Sequence, residues 1–258
     1  MAGFDPSWLA LREPYDHGAR NRSLTDAFVT ALGASPQLVD LGSGTGSNLR
    51  FLAPFLPPSQ RWTCIDHDPE LLACLTKQLP DGIHVETCER DLASDLEAIA
   101  LQPGMGVTGA ALLDLASADW LDRLAIHCRN AALLMTLSFD GRMIWGPVDP
   151  DDRALEAAFA RHQQRDKGFG PALGPEAGDY LSRRLRDDGR QVRMAPSDWI
   201  FGGGDGPILR AMIDGVSAAA EEEDPSLNLD AWRARRIALV EAGQLSLTVG
   251  HVDILALP

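Results

Sequence analysis

Leu38-Val-Asp-Leu-Gly-Ser-Gly-Thr-Gly46 is an apolar segment that ends in three alternating glycines and leads directly into a helical pattern at Ser47. Because glycine has no Cβ atom, such a backbone can adopt positive φ angles and let a ligand approach its amides. The N-terminus of the following helix adds a partial positive charge. The stretch therefore predicts a nucleotide-type turn between a strand and a helix. A dinucleotide fingerprint needs its third glycine at the position of Ser47, so the GxGxG spacing disfavours NAD and FAD.

Two further acidic residues follow the next predicted strands. Trp62-Thr-Cys-Ile65 ends in Asp66, where a carboxylate can accept hydrogen bonds from both hydroxyls of a ribose. The strand over His84 to Cys88 is followed by Glu89-Arg-Asp91-Leu92, where Asp91 could accept a hydrogen bond from an exocyclic amine and Leu92 could cover a base. This order favours an adenosine ligand. Asp68 is the alternative ribose acid.

Taken in order, the segments VDLGSGTG, CIDHD, ERDL and ALLDLAS resemble the successive motifs of class I S-adenosylmethionine-dependent methyltransferases over about residues 36 to 140. In that family the glycine-rich loop holds the methionine part of the cofactor, and acids after the second and third strands bind the ribose and the adenine amine. The resemblance implies S-adenosyl-L-methionine as the cofactor. The cofactor-binding residues that it implies are Asp40, Gly42, Ser43, Gly44, Gly46, Asp66, His67, Asp91 and Leu92.

The segment Glu13-Pro-Tyr-Asp-His-Gly-Ala-Arg20 precedes the first predicted helix. In the resembled family such a segment often folds over the cofactor, so Tyr15 and Arg20 are candidates to contact its carboxylate. A surface turn packed on the sheet explains the segment equally well.

Each motif also has a purely structural interpretation. Gly42 to Gly46 could be an ordinary tight turn, Asp66 a cap for the helix that begins near Pro69, and Asp91 a cap before Leu92. These interpretations do not explain why the motifs occur together, in the right order, on successive predicted strands.

Alternation of short apolar segments with helical patterns predicts an α/β fold, namely a Rossmann-like, doubly wound, mostly parallel sheet of seven strands with an antiparallel last strand. The capping-box-like Ser23-Leu-Thr-Asp26 begins a first helix that ends at Gly33. Four later helices, each of roughly ten residues, are predicted to connect the parallel strands. They should begin near Ser47, Pro69, Leu92 and Asp119. The predicted strands are Leu38 to Leu41, Trp62 to Asp66, His84 to Cys88, Gly109 to Leu115, Ala131 to Phe139, Gln191 to Trp199 and, at the sheet edge, Leu245 to Leu257.

The chain is predicted to be a single methyltransferase domain over residues 1–258, with the cofactor-binding core at 36–140. An insertion at about 141–178, with a helical pattern from Arg153 to Gln164, and a helical insertion at about 205–243 are expected to form a cap. A helix from about Pro175 to Asp188 separates them. The helices at Pro207 to Glu222 and Leu229 to Ala242 could equally form a homodimer surface.

The composition limits the partners. The net charge of -14, from 37 acidic and 23 basic side chains, repels phosphate backbones, so nucleic acid is not expected to bind. The sequence has neither a long apolar run nor a signal-peptide start, which predicts a soluble, cytoplasmic protein without membrane contact. Four unpaired cysteines and six scattered histidines predict reduced thiols and no metal site.

The sequence says less about the residues that would bind the methyl acceptor. Where some amino-methyltransferases carry Asn or Asp followed by Pro-Pro and an aromatic residue, this chain reads Asp114-Leu-Ala-Ser117, which argues against DNA or glutamine N-methylation. Asp114 is a substrate-side candidate for catalysis. In the first insertion, His162 is a candidate base or ligand, and Arg165 and Lys167 could pair with an anionic substrate group, although a polar loop stabilised by its own charges is equally consistent.

Three aromatic residues are more simply explained by packing. Trp120 and Trp199 could line a substrate pocket, but tryptophans in apolar segments are more often core residues. His251, on an apolar strand, is predicted to be a hydrogen-bonded core histidine.

The predicted function is methyl transfer to an O, N or C nucleophile of a small molecule, driven mainly by positioning because the sulfonium already activates the methyl group. A catalytically silent S-adenosylmethionine-binding partner or sensor is the alternative from outside the enzymes. A nicotinamide-dependent oxidoreductase is the alternative from another enzyme class.

Overall fold

A mixed β-sheet with helices on both faces forms the centre of the molecule in the computed structural model, which describes residues 4–258. Within these residues the sheet has eight strands in the order β3-β2-β1-β4-β5-β8-β6, and β7 pairs with β8. The strands are β1 (Gln37–Leu41), β2 (Arg61–Asp66), β3 (His84–Glu89), β4 (Gly106–Ala110), β5 (Ala132–Gly146), β6 (Gln191–Pro196), β7 (Trp199–Phe201) and β8 (Ser246–Leu257).

Ten α-helices connect and cover these strands in the same residues. They are α1 (Pro6–Ala19), α2 (Arg22–Ala31), α3 (Ser47–Leu52), α4 (Pro69–Thr76), α5 (Leu92–Asp95), α6 (Ala118–His127), α7 (Asp152–Gln163), α8 (Ala177–Asp187), α9 (Gly206–Glu223) and α10 (Asp230–Glu241). No helix in this range has the length and apolar character needed to cross a bilayer.

The first five strands are parallel, and β8 runs antiparallel to both β5 and β6. Strands β2 and β4 lie on opposite sides of β1, so the order of the strands reverses at β1. A crevice opens there, at the carboxyl ends of β1 and β4. Ligands of open α/β sheets bind at such a switch point. The topology therefore brings the glycine-rich turn and the ends of β2, β3 and β4 to one edge.

Both faces of the central sheet are buried because side chains alternate along each strand. On β1, Val39 and Leu41 pack beneath α5, α6 and α8, whereas Leu38 packs against α2, α3 and α4. A third apolar cluster lies beyond this core, where the far ends of β5 and β8 pack with α7, α9 and α10. The two predicted insertions thus share one core.

A buried ion pair holds the third cluster together. Arg236 of α10 is fully buried, donates to Asp152 at the start of α7, and also donates to the carbonyl oxygen of Pro147 at 2.6 Å. The indole N–H of Trp232 shares Asp152 at 2.9 Å. Removing one partner would leave an uncompensated buried charge.

The predicted α/β fold class is confirmed, with two differences in the sheet. The strand predicted over 191–199 is interrupted after Pro196, which makes β6 and β7 separate and adds an eighth strand. The last strand was predicted at the edge, but β8 lies between β5 and β6. Its residues are buried on both faces, as an interior strand requires.

Several predicted boundaries also move. The fourth strand ends at Ala110 because Ala111 has a positive φ of 50° and residues 113–115 form a 3₁₀ turn. The fifth strand continues to Gly146, well into the predicted insertion. Helices α3, α4 and α5 are six, eight and four residues long instead of roughly ten.

The start of the chain differs most from the prediction. Residues expected to precede the first helix form α1, which is capped by the Asp5 carboxylate. The second helix is capped by Asn21, whose side chain accepts from the Leu24 amide at 3.1 Å, so the capping box predicted at Ser23 is wrong. Asn21 takes the cap because it directly precedes the first helical residue.

Gly46 is a position where a side chain cannot be added. Its φ is +86°, and a Cβ atom would stand 2.8 Å from Leu75 Cγ. Gly46→Ala should lower the free energy of unfolding by about 2–5 kcal/mol, the sum of the left-handed backbone cost and overpacking. Urea denaturation measures this.

The matched control is Gly82→Ala, where φ is +78° and no atom of the described residues lies within 4 Å of the added Cβ. It should cost only the backbone term of about 1–2 kcal/mol. Equal losses in the two variants would contradict the packing argument.

Candidate active site

A cleft opens at the carboxyl edge of the sheet and is covered by α1. Its floor is the glycine-rich turn after β1, its sides come from the ends of β2, β3 and β4, and residues of α1 form its roof. Phe169, from the segment between α7 and α8, closes one end. The site therefore combines the predicted nucleotide turn with the N-terminal helix.

The glycine-rich turn is shaped by left-handed backbone angles at Gly42, Gly44 and Gly46, with φ of 63°, 51° and 86°. The Ser43 amide donates to the carbonyl oxygen of Ile65 at 2.9 Å, which ties the turn to the end of β2. Gly42, Ser43 and Gly44 line the cleft, while Gly46 lies behind it at the start of α3.

Asp66 is the acid that faces the cleft. One carboxylate oxygen accepts from the Gly44 amide at 2.8 Å and the other from the Asp68 amide at 3.0 Å. Asp68 instead caps α4 by accepting from the Glu70 amide at 2.8 Å, and it does not line the cleft. The helix cap considered for Asp66 is thus made by Asp68. His67 lines the cleft, with its Nδ1 3.3 Å from an oxygen of Asp66.

Asp91 and Leu92 follow β3 and both line the cleft. Asp91 also caps α5 by accepting from the Ala93 amide at 2.9 Å, so its structural interpretation holds as well. Trp120 is buried behind them, donates from its indole to the carbonyl oxygen of Leu92 at 2.7 Å and meets Phe169 edge-on at 5.2 Å. It supports the wall, in agreement with the core interpretation.

Asp40 lies buried beneath the turn. Its Oδ1 accepts from Asn48 Nδ2 at 2.6 Å, whereas its Oδ2 has no hydrogen-bond partner among the described residues. Burial raises the pKa of Asp40 to about 7, against the opposing effects of the Asn48 hydrogen bond and the Arg20 charge. Asp40 therefore acts on the cleft through Asn48.

Arg20 follows α1 and reaches the cleft from the opposite side of Asn48. Its Nη1 donates to Asn48 Oδ1 at 2.8 Å, and its guanidinium lies 4.4 Å from the centroid of the Phe51 ring. Within residues 4–258, its buried Nε and Nη2 have no hydrogen-bond partner. A buried guanidinium with unused donors is suited to bind a carboxylate.

The structure adds residues that the sequence did not single out. Leu9, Arg12 and Asp16 of α1 line the cleft, together with Ala111 and Leu137. The last two have positive φ angles of 50° and 54°, which is uncommon for non-glycine residues and concentrates at functional sites. The charged residues at positions 12, 16 and 20, spaced by four, are the sequence pattern that could have predicted a helix with a charged face over α1.

Tyr15 does not line the cleft. Its hydroxyl donates to Asp205 at 2.8 Å, just before α9, and its ring packs edge-on against Phe201 at 5.0 Å. It anchors α1 and makes no contact with the carboxylate site expected for it.

The two catalytic candidates lie in different surroundings. Asp114 is half-buried directly beyond the cleft residue Leu112, and its Oδ1 has no partner in the described chain. Burial raises the pKa of Asp114 to about 6, opposed by backbone amides and by the charges of Arg12 and Lys167.

His162 lies on α7, outside the residues that line the cleft. Its ring nitrogens are 3.3 Å from Lys167 Nζ and 3.5 Å from Glu222 Oε2, and burial lowers its pKa. Arg165 pairs with Glu222 at 2.6 Å and Glu223 at 2.8 Å. These groups join the first insertion to α9, so the charges of the loop pair with the second insertion.

His251 and Trp199 are buried, as predicted. Burial and the charge of Arg12 lower the pKa of His251 to about 4, and its Nδ1 has no hydrogen-bond partner in the described residues. No group of three metal-ligating side chains comes together in the part of the chain that the structure describes.

No protein-family model and no curated protein matches this sequence. Solved structures, however, match the fold of this chain. Cyclopropane synthase MmaA2 from Mycobacterium tuberculosis aligns over 97% of this chain and 94% of its own, with a TM-score of 0.52 and 11% identity. A provisionally assigned methyltransferase from Bacillus halodurans aligns over 91% of this chain and 96% of its own, with a TM-score of 0.52 and 13% identity.

The chain has the class I methyltransferase fold. A third structure, a provisionally assigned type II methyltransferase from Anaeromyxobacter dehalogenans, supports this with a TM-score of 0.51, 15% identity and coverage of 92% of this chain and 95% of its own. The cleft described above lies at the crevice where the strand order of this sheet reverses, which is where open α/β sheets bind ligands.

The raised pKa of Asp40 predicts a pH-dependent stability. Unfolded aspartate releases its proton near pH 4. The folded protein therefore binds more protons between about pH 4 and 7, and the stability contribution of Asp40 falls as the pH rises through this window. Asp40→Asn should remove this loss. The free energy of unfolding of the variant, relative to that of wild type, should therefore rise by at least about 1 kcal/mol as the pH is raised from 5 to 8.

Urea denaturation at several pH values measures this difference, and Asp26→Asn on the exposed face of α2 serves as control. A stability difference between Asp40→Asn and wild type that does not change with pH would contradict the buried, protonated state of Asp40.

Proposed function

We propose that this protein transfers a methyl group from S-adenosylmethionine to a small-molecule acceptor. The observation that carries the proposal is the convergence of Asp66, Asp91 and Arg20 on one cleft over the glycine-rich turn. The methyltransferase fold places that cleft where such sheets bind their ligands. S-adenosylmethionine, when bound, supplies a methyl group already activated by the positive sulfur.

The residues of the cleft fit the parts of this cofactor. Asp66, fixed by two backbone amides, retains acceptor capacity for ribose hydroxyls. Asp91 and Leu92 are suited to the adenine amine and ring, with Phe169 beside them. Arg20 offers Nη2 to the methionine carboxylate, while its Nε faces Asp253 at 3.9 Å.

Helix α1 provides the enclosure that methyl transfer needs. Glu13 pairs with Arg50 of α3 at 2.5–2.7 Å, and His17 Nε2 lies 3.0 Å from the carbonyl oxygen of Ser47. These contacts fasten α1 to the helix that follows the glycine-rich turn. Exclusion of water and fixed orientation are the main contributions we assign to the protein, since an aligned reaction can gain several kcal/mol from positioning alone.

Binding of S-adenosylhomocysteine, measured by calorimetric titration, tests the proposed cofactor site. We expect micromolar affinity, and Asp66→Ala should weaken it at least tenfold, or about 1.4 kcal/mol, because the ribose loses its acceptor. Asp68→Ala is the matched control: it removes a helix cap in the same turn but no cleft residue, so affinity should change less than twofold.

Equal effects of the two substitutions would contradict the role given to Asp66. Heat with NAD and none with S-adenosylhomocysteine would favour the oxidoreductase alternative. Tight binding without turnover on any acceptor in a metabolite screen would favour a silent binding protein.

Between the two catalytic candidates, Asp114 is better supported, because it adjoins the cleft and carries an oxygen without a partner among the described residues. We propose that it accepts the proton of the nucleophile. With an acceptor from the metabolite screen, kcat/KM should rise with pH and level off above about 6–7, since the carboxylate form is the base.

Asp114→Asn should lower kcat/KM by about 10²-fold and remove this pH limb. His162→Gln is the comparison and should leave the limb unchanged. An unchanged profile in Asp114→Asn would mean that positioning alone drives the reaction.

A further inference from the structure

Arg12 is a cleft residue that the proposed cofactor contacts do not use. It lies on α1 two helical turns before Arg20, and its side chain is only 12% exposed. A guanidinium buried to this extent normally has its donors satisfied by partners. Arg12 makes a single hydrogen bond within residues 4–258, from Nε to Asp16 Oδ2 at 2.9 Å.

The orientation of Arg12 is fixed by a closed set of three side chains. Asp16 holds its Nε, Trp199 of β7 lies with its ring centroid 5.1 Å from the guanidinium carbon, and the Trp199 indole N–H donates to the other oxygen of Asp16 at 3.1 Å. Each member of this triad therefore positions the other two. Among residues 4–258, the fork of Arg12, formed by Nη1 and Nη2, has no acceptor, and Arg12 borders the cleft.

Apart from Asp16, the described residues around this fork supply no anion contact. The charge of Arg12 lowers the pKa of Asp114, yet the two side chains make no ion pair within 4 Å among the described residues. His251 lies against Trp199, with ring centroids 4.8 Å apart, and is neutral at pH 7 because burial and Arg12 lower its pKa. Lys167 is the other cation that acts on Asp114.

Arg12 and Arg20 therefore serve different parts of one cleft. Arg20 lies beside the glycine-rich turn through Asn48, whereas Arg12 lies beside β7 and in reach of the charge of Asp114. The cleft walls include the apolar residues Leu115 and Leu137. A preorganised guanidinium fork in such a cleft matches a planar carboxylate on a small organic molecule, which it can bind through two parallel hydrogen bonds.

We propose that Arg12, held by Asp16 and Trp199, binds a carboxylate of the methyl acceptor, so that the acceptor is a small organic acid. This inference rests on the proposed methyltransferase function, because it assigns the acceptor end of the same cleft. Binding the carboxylate at Arg12 would place the rest of the acceptor between Arg12 and the end of β4, where Asp114 lies.

The experiment uses the full chain saturated with S-adenosylhomocysteine and short carboxylates as probes. Acetate, propionate and butyrate are compared by ligand-observed NMR with their neutral isosteres acetamide, propionamide and butyramide. We expect the carboxylates to bind with millimolar affinity and at least tenfold more tightly than the amides. Arg12→Gln should weaken carboxylate binding at least tenfold while it changes the affinity for S-adenosylhomocysteine less than twofold.

Controls separate a binding role from a structural one. Arg22→Gln removes an arginine that also lies over an aromatic ring, Phe55 at 3.9 Å, and pairs with Asp26, but it lies outside the cleft and should change nothing. Arg12→Lys retains the charge without the fork and should recover only part of the carboxylate affinity. The double variant Arg12→Gln/Asp16→Asn avoids an unpaired buried carboxylate and should behave like Arg12→Gln.

Three results would overturn the inference. Carboxylates that bind no better than amides, or that bind Arg12→Gln as well as wild type, would remove the anion site. A tenfold loss of S-adenosylhomocysteine affinity in Arg12→Gln would make Arg12 a cofactor ligand, while the methyltransferase proposal would stand. Absence of S-adenosylhomocysteine binding in wild type would instead defeat the proposed function itself.

Discussion

The buried contact between Arg20, Asn48 and Asp40 is the constraint on which the rest of the site depends. Asn48 donates to Asp40 of β1 and to Thr108 of β4, and accepts from Arg20 at the end of α1. Since Thr108 donates in turn to the carbonyl oxygen of Leu134 in β5, one side-chain network crosses three strands and two helices. Removing one charged member of such a buried network costs about 3–5 kcal/mol, so the network fixes where α1 can lie.

The same network extends to the last strand through Asp253 of β8. Its carboxylate accepts from the backbone amides of Asn21 and Leu137 and lies 3.9 Å from Arg20 Nε. Leu137 has a positive φ, and its amide would otherwise be unpaired at the bulge in β5. The C-terminal strand thus holds both the roof of the cleft and its strained wall, which explains why the chain closes its sheet beside β5.

The half of the site proposed to hold the cofactor could be predicted from sequence because it depends on local order. A strand, three alternating glycines and an acid after each following strand are short-range patterns, and the cleft contains Gly42, Gly44, Asp66 and Asp91 as expected. The distinction between Asp66 and Asp68 required the structure, because either acid could cap α4 and the hydrogen bonds give that role to Asp68.

The acceptor half depends on contacts between distant segments. Arg12, Asp16 and Trp199 meet across more than 180 positions of sequence, and their meeting is decided by the tertiary packing of α1 on β7. The charges of the first insertion suggested a substrate ligand, yet Arg165 and His162 contact Glu222 of α9 instead. The edge position expected for the last strand was also wrong, because strand order is a non-local property.

The most direct measurement is a crystal structure of the protein with S-adenosylhomocysteine. We expect the ribose hydroxyls at Asp66, the adenine between Leu92 and Phe169, and the homocysteine carboxylate on Arg20, with the fork of Arg12 left free. A ligand bound outside the cleft, or a carboxylate on Arg12 with Arg20 still lacking one, would contradict it.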